Sequence, residues 1–219
     1  MGRIVKIILS WCLVVAVPVV ALGLACNAMV RLPDLYQYTM NETQLLRSFN
    51  AQGQEEAVAH SISKYMQHRA DELQYQYDEE DEMSLLFSRD EQNLMAHLRF
   101  KADIWAGIFF LLLVLAAVSI IVLYRGEHYE IIRIRIKIAI GVYIAFALAI
   151  VAMLLMPGVW EGIVAKFATA LDEEHLLYSI FSAQFIRMYS IASGIMGAVI
   201  MGIASYLVLK YIKPKSIFW

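Results

Sequence analysis

The sequence predicts an all-α membrane protein with four transmembrane helices and a small extracytoplasmic helical cap. Three observations lead there. Hydrophobic residues fill 60% of the 219 positions and charged residues only 17%, against about 25% charged in an ordinary soluble domain. Four stretches are long and apolar enough to cross about 30 Å of hydrocarbon at about 1.5 Å per residue as helices, whose backbone hydrogen bonds are satisfied within each segment. The remaining charges are sorted along the chain by sign. Two Cys, four Pro and eleven Gly exclude a disulfide framework, a cysteine zinc module, a collagen and a low-complexity chain.

Residues 1–30 hold the first transmembrane helix, apolar from Ile7 to Val30. Arg3, Lys6 and the small pair Ala25-Cys26 have the look of a signal peptide. The apolar run, about 24 residues, exceeds the 7 to 15 of a secretory h-region, so a retained anchor is expected. Gly23 stands where a lipoprotein cleavage pattern has a bulky aliphatic residue. Pro18 should kink this helix. Cys12 and Cys26 are about 21 Å apart along it and cannot bond to each other.

Residues 31–103 form the cap. Val58, Ile62, Tyr65, Met66, Arg69 and Leu73 recur at three and four, predicting a helix over 55–73 with Gln52-Gly53 at its start. Asp78 to Glu82 reads as a solvated linker, lacking the alternating acids and Gly of a calcium loop. The cap has too few apolar groups for an independent core and is expected to pack on the membrane end of the bundle. Ser88 followed by Glu91 is a capping box. The helix it opens meets no Pro or Gly before Gly107, so the second transmembrane helix, 104–124, should extend it and hold Glu91, His97 and Arg99 at the water boundary.

A basic cytoplasmic loop covers 125–137, the third transmembrane helix 138–156, an extracytoplasmic loop 157–184, and the fourth helix with its cytoplasmic tail 185–219. Small residues at Ser193/Gly197 and Ala198/Gly202 predict close helix packing within a monomeric bundle. The N-terminus, the 125–137 loop and the tail carry Arg3, Lys6, Arg125, Arg133, Arg135, Lys137, Lys210, Lys213 and Lys215 against only Glu127 and Glu130. By the positive-inside rule these pieces, both termini included, are cytoplasmic. The opposite face is acidic, which argues against a nucleic-acid partner.

No phosphate-cradling Gly loop, His-Glu-x-x-His helix or Gly-x-Ser-x-Gly elbow is present. Candidate chemistry narrows to ionisable groups at the outer boundary. His97 enters the second span and His175 precedes the fourth. Two imidazoles at one interface can act as base and acid in acyl transfer, while each alone also suits an ordinary surface histidine. Arg187, two residues into the last span, either snorkels to headgroups or meets a lipid phosphate or oxyanion, with Glu91 or Glu161 as counter-ion. Tyr36, Tyr38, Trp160, Tyr178 and Phe181 gather at the same boundary, as aromatic belts generally do. His60 and His68 are about 12 Å apart on one helix, too far to share a metal ion, and no metal is assigned.

Several strings carry a family resemblance. Pro33-Asp34-Leu35-Tyr36, Phe87-Ser88-Arg89-Asp90-Glu91-Gln92-Asn93-Leu94-Met95-Ala96-His97-Leu98-Arg99, Trp160-Glu161-Gly162-Ile163-Val164-Ala165-Lys166-Phe167-Ala168 and Phe181-Ser182-Ala183-Gln184-Phe185, together with the layout of spans, resemble the bacterial lipoprotein intramolecular transacylase family. Its pattern Phe-x-x-x-Glu-x-x-His-Met-x-Asp-Val-Lys places its first histidine on Leu94 and its Asp on His97; its second histidine falls on Ala168. His97 follows Leu94 by about one helical turn and His175 follows Ala168 by about two, so a relocated histidine pair and a relative without the activity are both open.

The resemblance implies an enzyme of the bacterial plasma membrane that moves the sn-2 acyl chain of a diacylated lipoprotein onto the amine of its N-terminal Cys, giving the lyso form. It implies no external cofactor. His97 and His175 would be base and acid, Glu91 an orienting carboxylate, and Arg187 and Arg99 the oxyanion or phosphate contacts. Tyr36 and Trp160 would help line the site. The alternative is a non-catalytic membrane relative that binds a lipid or protein partner through its cap.

Overall fold

The computed structural model describes residues 2–47, 51–79, 82–156 and 176–212. It contains helices α1 (Arg3–Met29), α2 (Pro33–Thr43), α3 (Glu55–Met66), α4 (Arg89–Arg125), α5 (Tyr129–Leu155), α6 (Leu176–Ile180) and α7 (Ala183–Tyr211), and a hairpin of β1 (Gln76–Glu79) and β2 (Glu82–Leu85). Among the described residues, the helices α1, α4, α5 and α7 are the four that are long and apolar enough to cross a membrane. The second span is the continuation of the cap helix, as its unbroken sequence required: α4 runs 37 residues without interruption. The chain divides into two compact units, Met1–Cys26 with Ile104–Ala152 and Ser193–Trp219, and Asn27–Asp103 with Met153–Ala192.

The first unit is a bundle of the four long helices. Its buried core is thin: Leu13, Ala16, Leu123, Ile132 and Ile136 in one cluster, Ala21, Ala139, Tyr143 and Met201 in another. Phe110, Leu148, Ile195 and Ile203 are exposed instead, as expected where lipid tails are as apolar as the side chains and helix association depends on close packing. Gly197 supplies such packing. A Cβ there would lie 2.6 Å from the Tyr143 hydroxyl and 3.4 Å from the Leu22 Cα. The same hydroxyl donates to the Gly194 carbonyl at 2.7 Å, tying α5 to α7. Gly23 is similarly closed over by the Phe109 ring. A Cβ added at Gly202 would meet nothing within 4 Å, so Gly197 makes a tight contact and Gly202 does not.

The second unit contains α2, α3, the hairpin, the first part of α4, α6 and the start of α7. Pro33 opens α2 from an extended Leu32, where its missing N–H costs nothing. Gly53, at φ +79°, turns the chain before α3. The helix expected over 55–73 ends at Met66. His68 takes the left-handed conformation, its N–H donates to Tyr65 at 3.1 Å, and the Arg69 N–H donates to Lys64 at 2.9 Å. This is a Schellman stop built on histidine in place of glycine. Leu73 is nevertheless buried. Of the acidic segment expected to be a linker, Asp78, Glu79 and Glu82 lie on paired antiparallel strands, with Gln76 opposite Leu85 and Glu79 opposite Glu82, while Glu80 and Asp81 lie outside the described residues. Nothing in it carries the Asn or Gly that marks a tight hairpin turn.

The expectation that 31–103 lacks a core of its own meets a specific answer. Tyr36, Met40, Leu46, Val58, Ile62, Met66, Phe87 and Met95 are buried together with Leu176, Leu177, Ile180 and Phe185. The later segment supplies the apolar surface that the earlier one is short of.

Candidate functional site

The sequence-derived site residues that fall among the described ones, Tyr36, Glu91, His97, Arg99 and Arg187, all belong to the second unit. His175 and Trp160 lie outside the described residues, as does Glu161.

Glu91 occupies the third position of α4, and the capping box is formed. Its carboxylate accepts the Ser88 N–H at 2.7 Å, and the Ser88 hydroxyl accepts the Glu91 N–H at 3.3 Å. The other carboxylate oxygen accepts the Leu177 N–H at 2.8 Å, across 86 positions of sequence. The residue is 2% exposed. Among the described residues it has no cationic partner, so it is not paired with Arg187. Arg187 is exposed on α7.

His97 sits on the exposed side of α4 with Asn93 and Lys101, whereas Leu94 packs partly buried against the cap core. Arg99 lies on a different side. Its guanidinium stacks 4.1 Å from the centre of the Tyr65 ring and donates to the Tyr65 and Ala70 carbonyls at 3.3 and 3.4 Å. It therefore braces the end of α3. Tyr36 is fully buried, its ring 5.4 Å from that of Phe185 and its hydroxyl donating to the Val30 carbonyl at 2.7 Å. Burial pushes that hydroxyl's pKa well above its ordinary value. Phe185 continues the aromatic contact to Phe181, edge to face at 5.1 Å, and to Tyr189 at 6.3 Å.

Sequence reasoning missed an ionic cluster. Asp103 receives Arg31 on one carboxylate oxygen at 2.7 Å and meets His68 on the other at 2.9 Å. The available signal was the pair of opposite charges flanking the first two spans at their common end. Around it, Asn27 donates to the Ala102 carbonyl, and Ser63 and Gln67 donate to the Arg31 carbonyl at 2.6 and 2.8 Å. Arg31, the α3 terminus and α4 are thus joined at one point. His68 is engaged here, away from His60 and Glu72, and among the described residues no cluster of metal-ligating side chains is present.

Burial pushes the Asp103 carboxyl upward, but the hydrogen bonds and charges of Arg31 and His68 outweigh it and hold the pKa below its ordinary 3.8. A lowered folded-state value means stability that is present above the unfolded pKa and lost as the pH falls through the lower, folded one. The difference in melting temperature between the wild type and Asp103→Asn should therefore shrink as pH is taken from about 5 down through the carboxylate range. A difference that stays constant over that range contradicts the assignment.

A separate polar hollow of about 280 Å³ opens between α2 and the start of α3, lined by Asn41, Gln44, Arg47, Gln52, Gly53 and Glu55. No sequence motif marked it.

No family profile and no curated protein matches the chain. Among solved structures it is similar to the in meso structure of the membrane integral lipoprotein intramolecular transacylase Lit from Bacillus cereus, with a TM-score of 0.63 and 11% identity over 96% of this chain and 97% of that one. The likeness is one of fold, and it extends over nearly the whole of both chains.

Proposed function

We propose that this protein is a multi-pass bacterial plasma-membrane acyltransferase that moves the sn-2 acyl chain of a diacylated lipoprotein to the amine of its N-terminal Cys. The observation that carries the reading is the end-to-end fold likeness to a lipoprotein intramolecular transacylase. The bond from Glu91 to the Leu177 N–H also supports it, because it brings the backbone two residues after His175 to the helix that bears His97.

In this reading the cap faces outward and both termini are cytoplasmic. One imidazole of the His97 and His175 pair takes a proton from the substrate ammonium, and the freed amine attacks the ester carbonyl. The other takes the remaining surplus proton from the nitrogen of the tetrahedral intermediate and delivers it to the glycerol oxygen as the ester C–O bond breaks, leaving the amide. Arg187 neutralises the oxyanion or a headgroup phosphate, and Trp160 borders the acyl chain. Holding ester and amine in one confined site supplies the proximity such a transfer needs, and no cofactor is required. Arg99 and Tyr36 act through the fold, given their engagement with α3 and Val30.

The test is mass spectrometry of lipoproteins from a host expressing the protein. Lyso-form N-termini are expected with the wild type and are expected to disappear with His97→Ala or His175→Ala, but not with His60→Ala. Unchanged N-terminal acylation in every case counts against the reading.

One observation favours a second reading. The family's first histidine position is Leu94, which packs into the core, while His97 points to the exposed side. A relative without the activity, binding a lipid or a diacylated lipoprotein through its cap, predicts co-purification of such a ligand without its conversion.

A further inference from the structure

The two carboxylate oxygens of Glu91 serve two different pieces of backbone. One accepts the Ser88 N–H, as any capping box requires. The second accepts the Leu177 N–H at the start of α6, and both ends of that bond are buried. Capping alone needs only one of these. The two N–H groups bond different oxygens of the carboxylate; glutamine keeps one of those acceptors and sets an NH2 donor against the other N–H, so one of the two bonds is lost in that geometry. Aspartate is one methylene shorter and cannot reach across. The charge, the length and the burial are all explained by the second bond.

We propose that Glu91 is a positioning residue for the outer loop's return and not a proton-transfer group. It pins the backbone that follows His175 to the first turn of α4. With Leu176, Leu177 and Ile180 in the cap core, this bond fixes the entry of α6 relative to the first turn of α4, the helix bearing His97. The inference deepens the acyl-transfer reading and rests on it for its catalytic consequence only.

Amide hydrogen exchange on the full-length protein in detergent tests the anchoring without reference to activity. Glu91→Gln is expected to speed exchange at Leu177 and through 176–180 by about tenfold, since one buried hydrogen bond is lost. Glu91→Asp, which keeps a capping carboxylate, should do the same. Ser88→Ala, which removes the reciprocal half of the box, should leave 176–180 within about twofold of wild type. Equal protection in wild type and both Glu91 variants overturns the proposal, and so does equal loosening by Ser88→Ala.

The activity arm separates positioning from proton transfer. Glu91→Gln should lower the rate of acyl transfer at every pH and leave the shape of the pH profile intact, whereas loss of one limb would make Glu91 an acid or base and overturn the proposal. If the wild type shows no acyl transfer, the functional reading fails and the exchange result still decides the anchoring.

Discussion

Replacing Tyr36 by alanine is expected to cost the cap about 3–5 kcal/mol, the range for deleting a buried aromatic ring. The ring is fully buried against Phe185, so the cavity left behind has no solvent-exposed side through which it can collapse. Tyr36→Phe keeps the ring and removes only the hydrogen bond to the Val30 carbonyl, a loss of about 1 kcal/mol. Thermal unfolding followed by near-ultraviolet circular dichroism, with limited proteolysis of the cap as a second probe, measures both. If Tyr36→Ala melts like the wild type and only substrate handling suffers, Tyr36 lines the site, as the family resemblance implied, and does not hold the cap together.

The second large effect is expected in the membrane bundle. Gly197→Leu puts a branched side chain where even a Cβ meets the Tyr143 hydroxyl and the α1 backbone at Leu22. Overpacking of this kind costs about 1–3 kcal/mol. Displacing Tyr143 also breaks its bond to the Gly194 carbonyl, which adds about 0.6 kcal/mol by the average measured for such bonds in membranes. Gly202→Leu is the control on the same helix. Its Cβ meets nothing within 4 Å, so it should be neutral or slightly stabilising through helix propensity. Urea or heat titration in detergent reads the contrast. Equal losses at the two glycines would show that α7 does not pack as described.

What was legible in the sequence was local. Length and apolarity marked the four long helices, and Ser88 with Glu91 marked the start of α4. What was not legible has physical reasons. The stop after Met66 uses His68 in the left-handed region, and the stop after Arg125 uses Glu127 in the same way, one residue beyond the glycine that would have been the natural choice. Both break the glycine rule on which helix ends are read. The strands β1 and β2 pair although no Asn or Gly stands anywhere from Gln76 to Leu85 to advertise a turn.

The remaining gaps are long-range. Asp103 joins Arg31 and His68 across 72 and 35 positions, and Glu91 reaches Leu177 across 86. No periodicity or short motif encodes such pairings. The histidine and arginine assignments came from chemistry and resemblance. Arg99 turns out to be committed to carbonyls of its own fold, which no spacing rule could have revealed.

The core shared between Met40, Leu46 and Ile62 on one side and Leu176, Ile180 and Phe185 on the other has a consequence for biosynthesis. At ribosomal speeds of about 5–20 residues per second, the interval between completing Asp103 and completing Phe185 is about 4–16 s. For that time the first segment has been translated while the residues that seal it have not. A nascent chain stalled in this window offers uncovered apolar surface to chaperones and proteases, and a gene truncated before codon 176 would yield a product destined for degradation even though three of its four long hydrophobic helices were intact.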